Sequence, residues 1–233
     1  VLTDAWGVDI VSAGLQKCLG GPPGMAPITI SDRAAERIFA RKRVEKGIAR
    51  AEHRTTGPFI RSNYLDLAML MDYWSPERLN HHTQAASMLY GARECARIAL
   101  QEGLESRYRR HRLAGAAMVA GVEAMGLKVY GDRDHKMTNV TGVWIPDGVD
   151  GEGLRRRMRV EFDIEIGTAF GPLTGRIWRI GAMGENARRQ HVMHGLLALE
   201  TALRREGFDL PAGAAADAAA AVYDEPDAIE GAV

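Results

Sequence analysis

The sequence predicts a mixed α/β or α+β globular fold in two parts, on three observations. Apolar residues make up 46% of the chain and aromatic ones only 6%, so aliphatic side chains carry the core. Short β-branched runs are interspersed with segments of helical period. One helical stretch near the middle is long enough to join two domains.

Taken in order, VDIVSAG (8–14) is short, β-branched and apolar, which predicts a buried strand. A loop of glycines and prolines follows, then APITIS (26–31), a second strand. Ser31 or Asp32 can cap a helix running to about Arg43, because either side-chain oxygen accepts from the first free N–H groups. EKGIARAEHRTTGPFI (45–60) reads as polar and irregular. YLDLAMLMDYW (64–74) is an apolar helix stopped by Ser75-Pro76. Met88, Leu89, Ala92, Ala96, Ala99 and Leu100 keep helical spacing, in a helix that breaks near Gly103 and gives way to another ending about Met125.

The remainder reads as a smaller α/β unit. MTNVTGVWIP (137–146) is a strand ended by proline, and a helix spans about 150 to 161. FDIEIG (162–167) and RIWRIG (176–181) are strands around a glycine-rich connection. A helix from about Asn186 to Arg205 places Val192, Leu196, Leu199 and Leu203 on one face. The Ala/Gly/Asp-rich tail after Leu210 has little to bury and is expected to be mobile. The domain boundaries follow: 1–85, a connecting helix over 86–105, a small domain over 106–208, and a flexible tail over 209–233.

Lys plus Arg and Asp plus Glu both number 30, so no net field draws nucleic acid or an anionic membrane. The basic runs RYRRHR (107–112) and RRRMR (155–159) read as solvated helix faces. No apolar run is long enough to span a bilayer. Two cysteines, Cys18 and Cys95, are no disulfide framework and point to a reducing compartment, the cytoplasm. The first residue is Val, and the chain opens as though inside a domain, which suggests a fragment.

The chemistry centres on GLQKCLGGPPG (14–24). A lysine amine is ordinarily protonated; it condenses with an aldehyde only once a proton has been lost, and burial or a nearby cation favours that loss. Lys17 follows a strand expected to be buried, and Gly20, Gly21 and Gly24 allow close backbone approach while Pro22 and Pro23 stiffen the path. The frame suits an anchored aldehyde cofactor such as pyridoxal phosphate. A strand-end lysine in a tight turn explains the same residues.

Four motifs in order decide between them: GLQKCLGGPPG, NHHT (80–83), LYGARECARIALQEGLESRYRRHR (89–112) and FDIEIGTAFGPLTGRIWRIGAMGENA (162–187). Together they resemble the class V, fold-type I aminotransferases, within them the alanine–glyoxylate and serine–pyruvate group and its ureidoglycine–glyoxylate relatives. The resemblance covers residues 4 to 206 and implies an α/β fold: the C-terminal part of the pyridoxal-phosphate-binding large domain plus a small α/β C-terminal domain. It implies that Lys17 carries pyridoxal 5'-phosphate as a Schiff base and moves the proton between substrate and cofactor. It also implies that Gln16 holds the cofactor phosphate, that Thr83 reaches the phosphate across a homodimer, and that Arg179 binds the substrate α-carboxylate.

An arginine suits that last role because its planar fork meets a carboxylate through two parallel hydrogen bonds. Strand alternation sends Arg176 to the other side, the surface. Asn80 stands where alanine–glyoxylate enzymes usually carry tyrosine. NHHT and QKCLGGPPG are more similar to the ureidoglycine–glyoxylate subgroup, and a carboxamide matches a ureido group's donors and acceptor. Asn80 as a helix cap is the plainer reading. The implied reaction moves an amino group from (S)-ureidoglycine to glyoxylate, giving oxalurate and glycine in purine catabolism; the alternative donors are alanine or serine. A non-catalytic scaffold protein is the reading from another class.

His81 and His82 suggest no metal, since adjacent side chains diverge in helix and strand alike. In this family an aspartate for the pyridine nitrogen lies about two dozen residues before the lysine, and Asp4 and Asp9 are too close to replace it. The chain alone is therefore expected to be inactive.

Overall fold

A computed structural model describes residues 2–42, 58 and 60–227. The chain forms two compact units, one of residues 1–15 and 21–94, the other of residues 16–20 and 95–233. The division falls inside the long connecting helix, and the five residues around Lys17 group with the second unit.

In the first unit, β1 (Ile10–Ser12) pairs antiparallel with β2 (Ile28–Ile30), Ile10 opposite Ile30. The expected burial of this strand is not found. Ile10 is 44% exposed, because a two-stranded ribbon covers little of either face. α1 (Asp32–Phe39) starts as anticipated at Ser31, whose Oγ accepts from the Ala34 N–H at 3.2 Å and donates to Asp9 Oδ1 at 2.7 Å. It ends at Phe39 rather than near Arg43. The stretch 45–60, read as irregular, lies almost wholly outside the described residues. α2 (Leu67–Trp74) is capped by the buried Asp66, whose Oδ1 accepts from the Ala68 N–H at 2.8 Å. α3 (Ala86–Glu102) begins in this unit. A side chain at Gly24 would strike Met88 of α3 at 3.0 Å, so this glycine serves a close helix approach.

In the second unit, α4 (Leu104–Ala124) is followed by β3 (Val140–Trp144), α5 (Gly151–Phe162), β4 (Gly167–Thr168), β5 (Ile177–Gly181), α6 (Arg189–Arg205) and α7 (Ala214–Asp224). The sheet order is β3-β5-β4, antiparallel throughout. Trp178 and Ile180 of β5 join Val143, Leu154, Met158 and the α6 face Val192, Leu196, Leu199 and Leu203 in one core. FDIEIG is not the strand expected: Phe162 ends α5, Asp163 turns left-handed at φ 55°, and only Gly167 enters β4.

The tail after Leu210 departs further from expectation. Residues 214–224 are helical, and Ala215 and Ala219 are fully buried. The core they enter is made by small residues. A Cβ at Gly121 of α4 would lie 3.1 Å from the Ala215 carbonyl oxygen, so the two helices touch nearly backbone to backbone. Buried Glu200 on α6 accepts from the Gly213 N–H at 2.8 Å and so caps α7. Among the described residues no helix is long and apolar enough to cross a membrane.

Candidate active site

Leu15 is buried, and from it the chain makes a closed loop: the Gly21 N–H donates to the Leu15 carbonyl at 2.9 Å. Within that loop the Gly20 N–H donates to the Lys17 carbonyl at 2.9 Å, a tight turn that needs Gly20 at φ +77°. The turn carries Gln16 and Lys17 outward. Both are exposed, so the burial expected for Lys17 is not found. The amine has no ion-pair or hydrogen-bond partner among the described residues.

Arg179 lies in the centre of the sheet, and both its cross-strand neighbours are glycines, Gly142 on β3 and Gly167 on β4. Its guanidinium crosses Gly167, where a Cβ would lie 3.6 Å from Nη2. Nε donates to the Thr168 carbonyl at 2.7 Å, and the guanidinium carbon stands 4.8 Å from the centre of the exposed Phe170 ring. Two contacts thus fix the plane of the fork without using a carboxylate, and none pairs with it among the described residues. Arg176 precedes β5, outside the strand alternation, and covers the Trp144 ring at 5.2 Å.

The Lys17 turn and the end of β5 meet within this unit. Gly184, at φ +59°, presents its Cα to Gly20, and a Cβ on it would lie 3.1 Å from Gly20 Cα and 3.2 Å from the Lys17 carbonyl oxygen. Its N–H donates to His111 Nε2 at 3.0 Å, and its carbonyl accepts from Arg110 Nη1 at 2.7 Å. His111 Nδ1 lies 2.8 Å from the Arg107 carbonyl. A carbonyl only accepts and a backbone N–H only donates, so Nδ1 carries the proton and Nε2 is bare. Arg107 Nη2 donates to the Cys18 carbonyl at 2.6 Å, and Asn139 Nδ2 approaches Cys18 Sγ at 2.8 Å.

Glu102 ties the two arginines together, accepting from Arg107 Nη1 at 2.6 Å and Arg110 Nε at 2.6 Å. Arg110 first, and Arg107 after it, push the Glu102 carboxyl down to about 2. Reading RYRRHR as a solvated face therefore fails for three of its residues: Arg107 and His111 are buried and Arg110 half-buried. Their spacing of i, i+3 and i+4 on an otherwise Ala- and Val-rich helix was the available signal.

Asn80 and Thr83 lie in the first unit, exposed, in the irregular run before α3. Because that run is neither helix nor strand, His81 and His82 do not diverge as expected. Their Nδ1 atoms are 2.8 Å apart, and His81 Nε2 is 2.6 Å from the Asn63 carbonyl. No group of three metal-ligating side chains occurs among the described residues.

No protein-family model matches the chain. The (S)-ureidoglycine–glyoxylate transaminase of Bacillus subtilis is 50% identical over 227 residues, 96% of this chain and 55% of that protein. The chain is a homologue of the glyoxylate aminotransferases. The alanine–glyoxylate aminotransferase of Felis catus is 34% identical over 88% of this chain and 47% of its own. The crystal structure of the Bacillus subtilis ureidoglycine–glyoxylate aminotransferase superposes with a TM-score of 0.85 at 48% identity, covering 95% of this chain and 54% of that one. The chain thus has the α/β fold of part of a glyoxylate aminotransferase, and it spans about half the length of the relatives it matches.

Proposed function

We propose that the whole protein is a pyridoxal-phosphate-dependent aminotransferase that moves the amino group of (S)-ureidoglycine to glyoxylate, giving oxalurate and glycine, in purine catabolism in the cytoplasm. The observation that carries the reading is the pair Lys17 and Arg179. Both are exposed, neither has a carboxylate partner among the described residues, and both belong to one compact unit. Fifty per cent identity to a ureidoglycine–glyoxylate transaminase supports the choice of substrates.

Bound pyridoxal phosphate supplies an electron sink that labilises the substrate C–H bond. Lys17 would hold the cofactor through its Nζ, and once released that amine takes and returns the proton. Gln16 beside it would donate to the cofactor phosphate, joined by Thr83 from the other subunit of a homodimer. Arg179 grips the α-carboxylate of donor and acceptor alike; its guanidinium, already held by Thr168 and Phe170, binds without first losing much freedom. Asn80, on the same segment as Thr83 and so also from the other subunit, would offer the ureido group a donor and an acceptor.

The test compares (S)-ureidoglycine with alanine and serine as donors to glyoxylate, in the wild-type enzyme and in Asn80→Tyr. The reading requires ureidoglycine to lead in wild type and its advantage to fall about 100-fold in the variant. Alanine or serine leading in wild type points instead to an alanine– or serine–glyoxylate enzyme.

A further inference from the structure

We propose that Arg107, Arg110, His111 and Asn139 form a positioning assembly that holds the Lys17 turn and the end of the Arg179 strand as one rigid piece. The proposal rests on the aminotransferase reading for its purpose, though not for its geometry.

The assembly acts on backbone, not on side chains of the core. Arg107 holds the carbonyl of Cys18, the residue after the lysine. Arg110 and His111 satisfy both polar groups of Gly184, five residues beyond Arg179. Asn139 joins the same two segments from the other direction: its side chain meets Cys18 Sγ, and its carbonyl accepts from the Ala182 N–H at 3.0 Å. Between them Gly20 and Gly184 pack Cα to Cα, so neither segment can shift without pushing the other. The arginine side chains are 9% and 16% exposed, so these charge-assisted bonds are sheltered from water, and Glu102 pairs with both guanidiniums. The result is visible in the partition of the chain: residues 16–20 leave their sequence neighbours and group with residues 95–233.

Such a coupling matters for a transamination. The substrate is gripped by its carboxylate at one point and reacts at its α-carbon at another. If the two protein groups sit on one rigid piece, the reacting atoms arrive in register, and a displacement of about 1 Å lowers the rate on the order of 100-fold. His111 is thus a positioning residue. Its bare nitrogen sets Gly184, and Gly184 sets the turn that carries Lys17.

The experiment compares His111→Leu, which loses the acceptor for Gly184, with His111→Gln, whose carbonyl oxygen can replace it. Hydrogen exchange is followed by mass spectrometry on the complete protein without cofactor, and steady-state kinetics on the enzyme reconstituted with pyridoxal phosphate. In His111→Leu, exchange over residues 16–21 and 182–187 rises about tenfold, while residues 196–203 of the core stay protected. The kcat falls about 100-fold with KM for glyoxylate little changed, and His111→Gln recovers most of both losses. Should His111→Leu also loosen the core, Asn139→Ala decides: it raises exchange over 16–21 alone. Unchanged exchange over 16–21 in a folded His111→Leu or Asn139→Ala overturns the proposal, as does His111→Gln behaving like His111→Leu. A wild-type protein that neither binds pyridoxal phosphate nor transaminates refutes the functional reading, while the exchange data still decide the coupling.

Discussion

Replacing Gly184 by alanine presses on the Lys17 turn directly. Two effects add. At φ +59° a residue with a Cβ sits in the left-handed region, a strain of about 1–2 kcal/mol. The new methyl then meets backbone that cannot rotate away: Gly20 Cα at 3.1 Å, the Lys17 carbonyl oxygen at 3.2 Å and Gly20 N at 3.5 Å. Carbon contacts are most favourable at about 3.5–4.0 Å, so the turn must retreat by about half an ångström. Overpacking of that kind adds roughly 1–2 kcal/mol. Gly207→Ala separates the terms, because Gly207 also has a positive φ, +83°, but no atom within 4 Å of the added carbon. Urea unfolding of the two variants should show Gly184→Ala less stable than Gly207→Ala by about 1–2 kcal/mol. Only Gly184→Ala should lose kcat, about 10- to 100-fold. Equal stabilities with full activity in both would refute the contact between the strand end and the lysine turn.

Two further outcomes follow from the charges. Glu102 has a folded pKa pushed down to about 2 from the ordinary 4.5, so its stabilisation is complete above about pH 4.5 and is lost as pH falls towards 2. After allowance for solvent screening at a side chain 22% exposed, Glu102→Gln should lose about 1–2 kcal/mol at neutral pH and unfold less steeply in acid, measured by denaturant titration at several pH values. Arg179→Lys keeps the charge but not the fork, and should raise KM for glyoxylate on the order of 10- to 100-fold, while Arg176→Lys leaves it unchanged in the same assay.

Much of this was legible in the sequence, for reasons that particular residues make plain. The α6 face of Val192, Leu196, Leu199 and Leu203 has a strong 3.6-residue period, and all four are buried. The Ser31 cap is a local interaction, readable from neighbours in sequence. What was missed depends on distant partners. An alanine-rich tail looks as if it has nothing to bury until Gly121 on α4 offers a matching flat surface. RYRRHR shows its charges but not which of them turn inward to meet Gly184 and Cys18, 74 and 89 residues away. The motif singles out Lys17 but not its surroundings: the turn closed by the Gly20 N–H leaves the lysine exposed.

The central claim is that the amine of Lys17 takes up pyridoxal phosphate, with Arg179 on the same rigid piece to hold the acid. Borohydride reduction of the complete enzyme after incubation with pyridoxal phosphate, followed by peptide mass mapping, tests it most directly. One phosphopyridoxyl group is expected, on Lys17, and none in Lys17→Ala. Labelling spread over several lysines, or unchanged in Lys17→Ala, would contradict it.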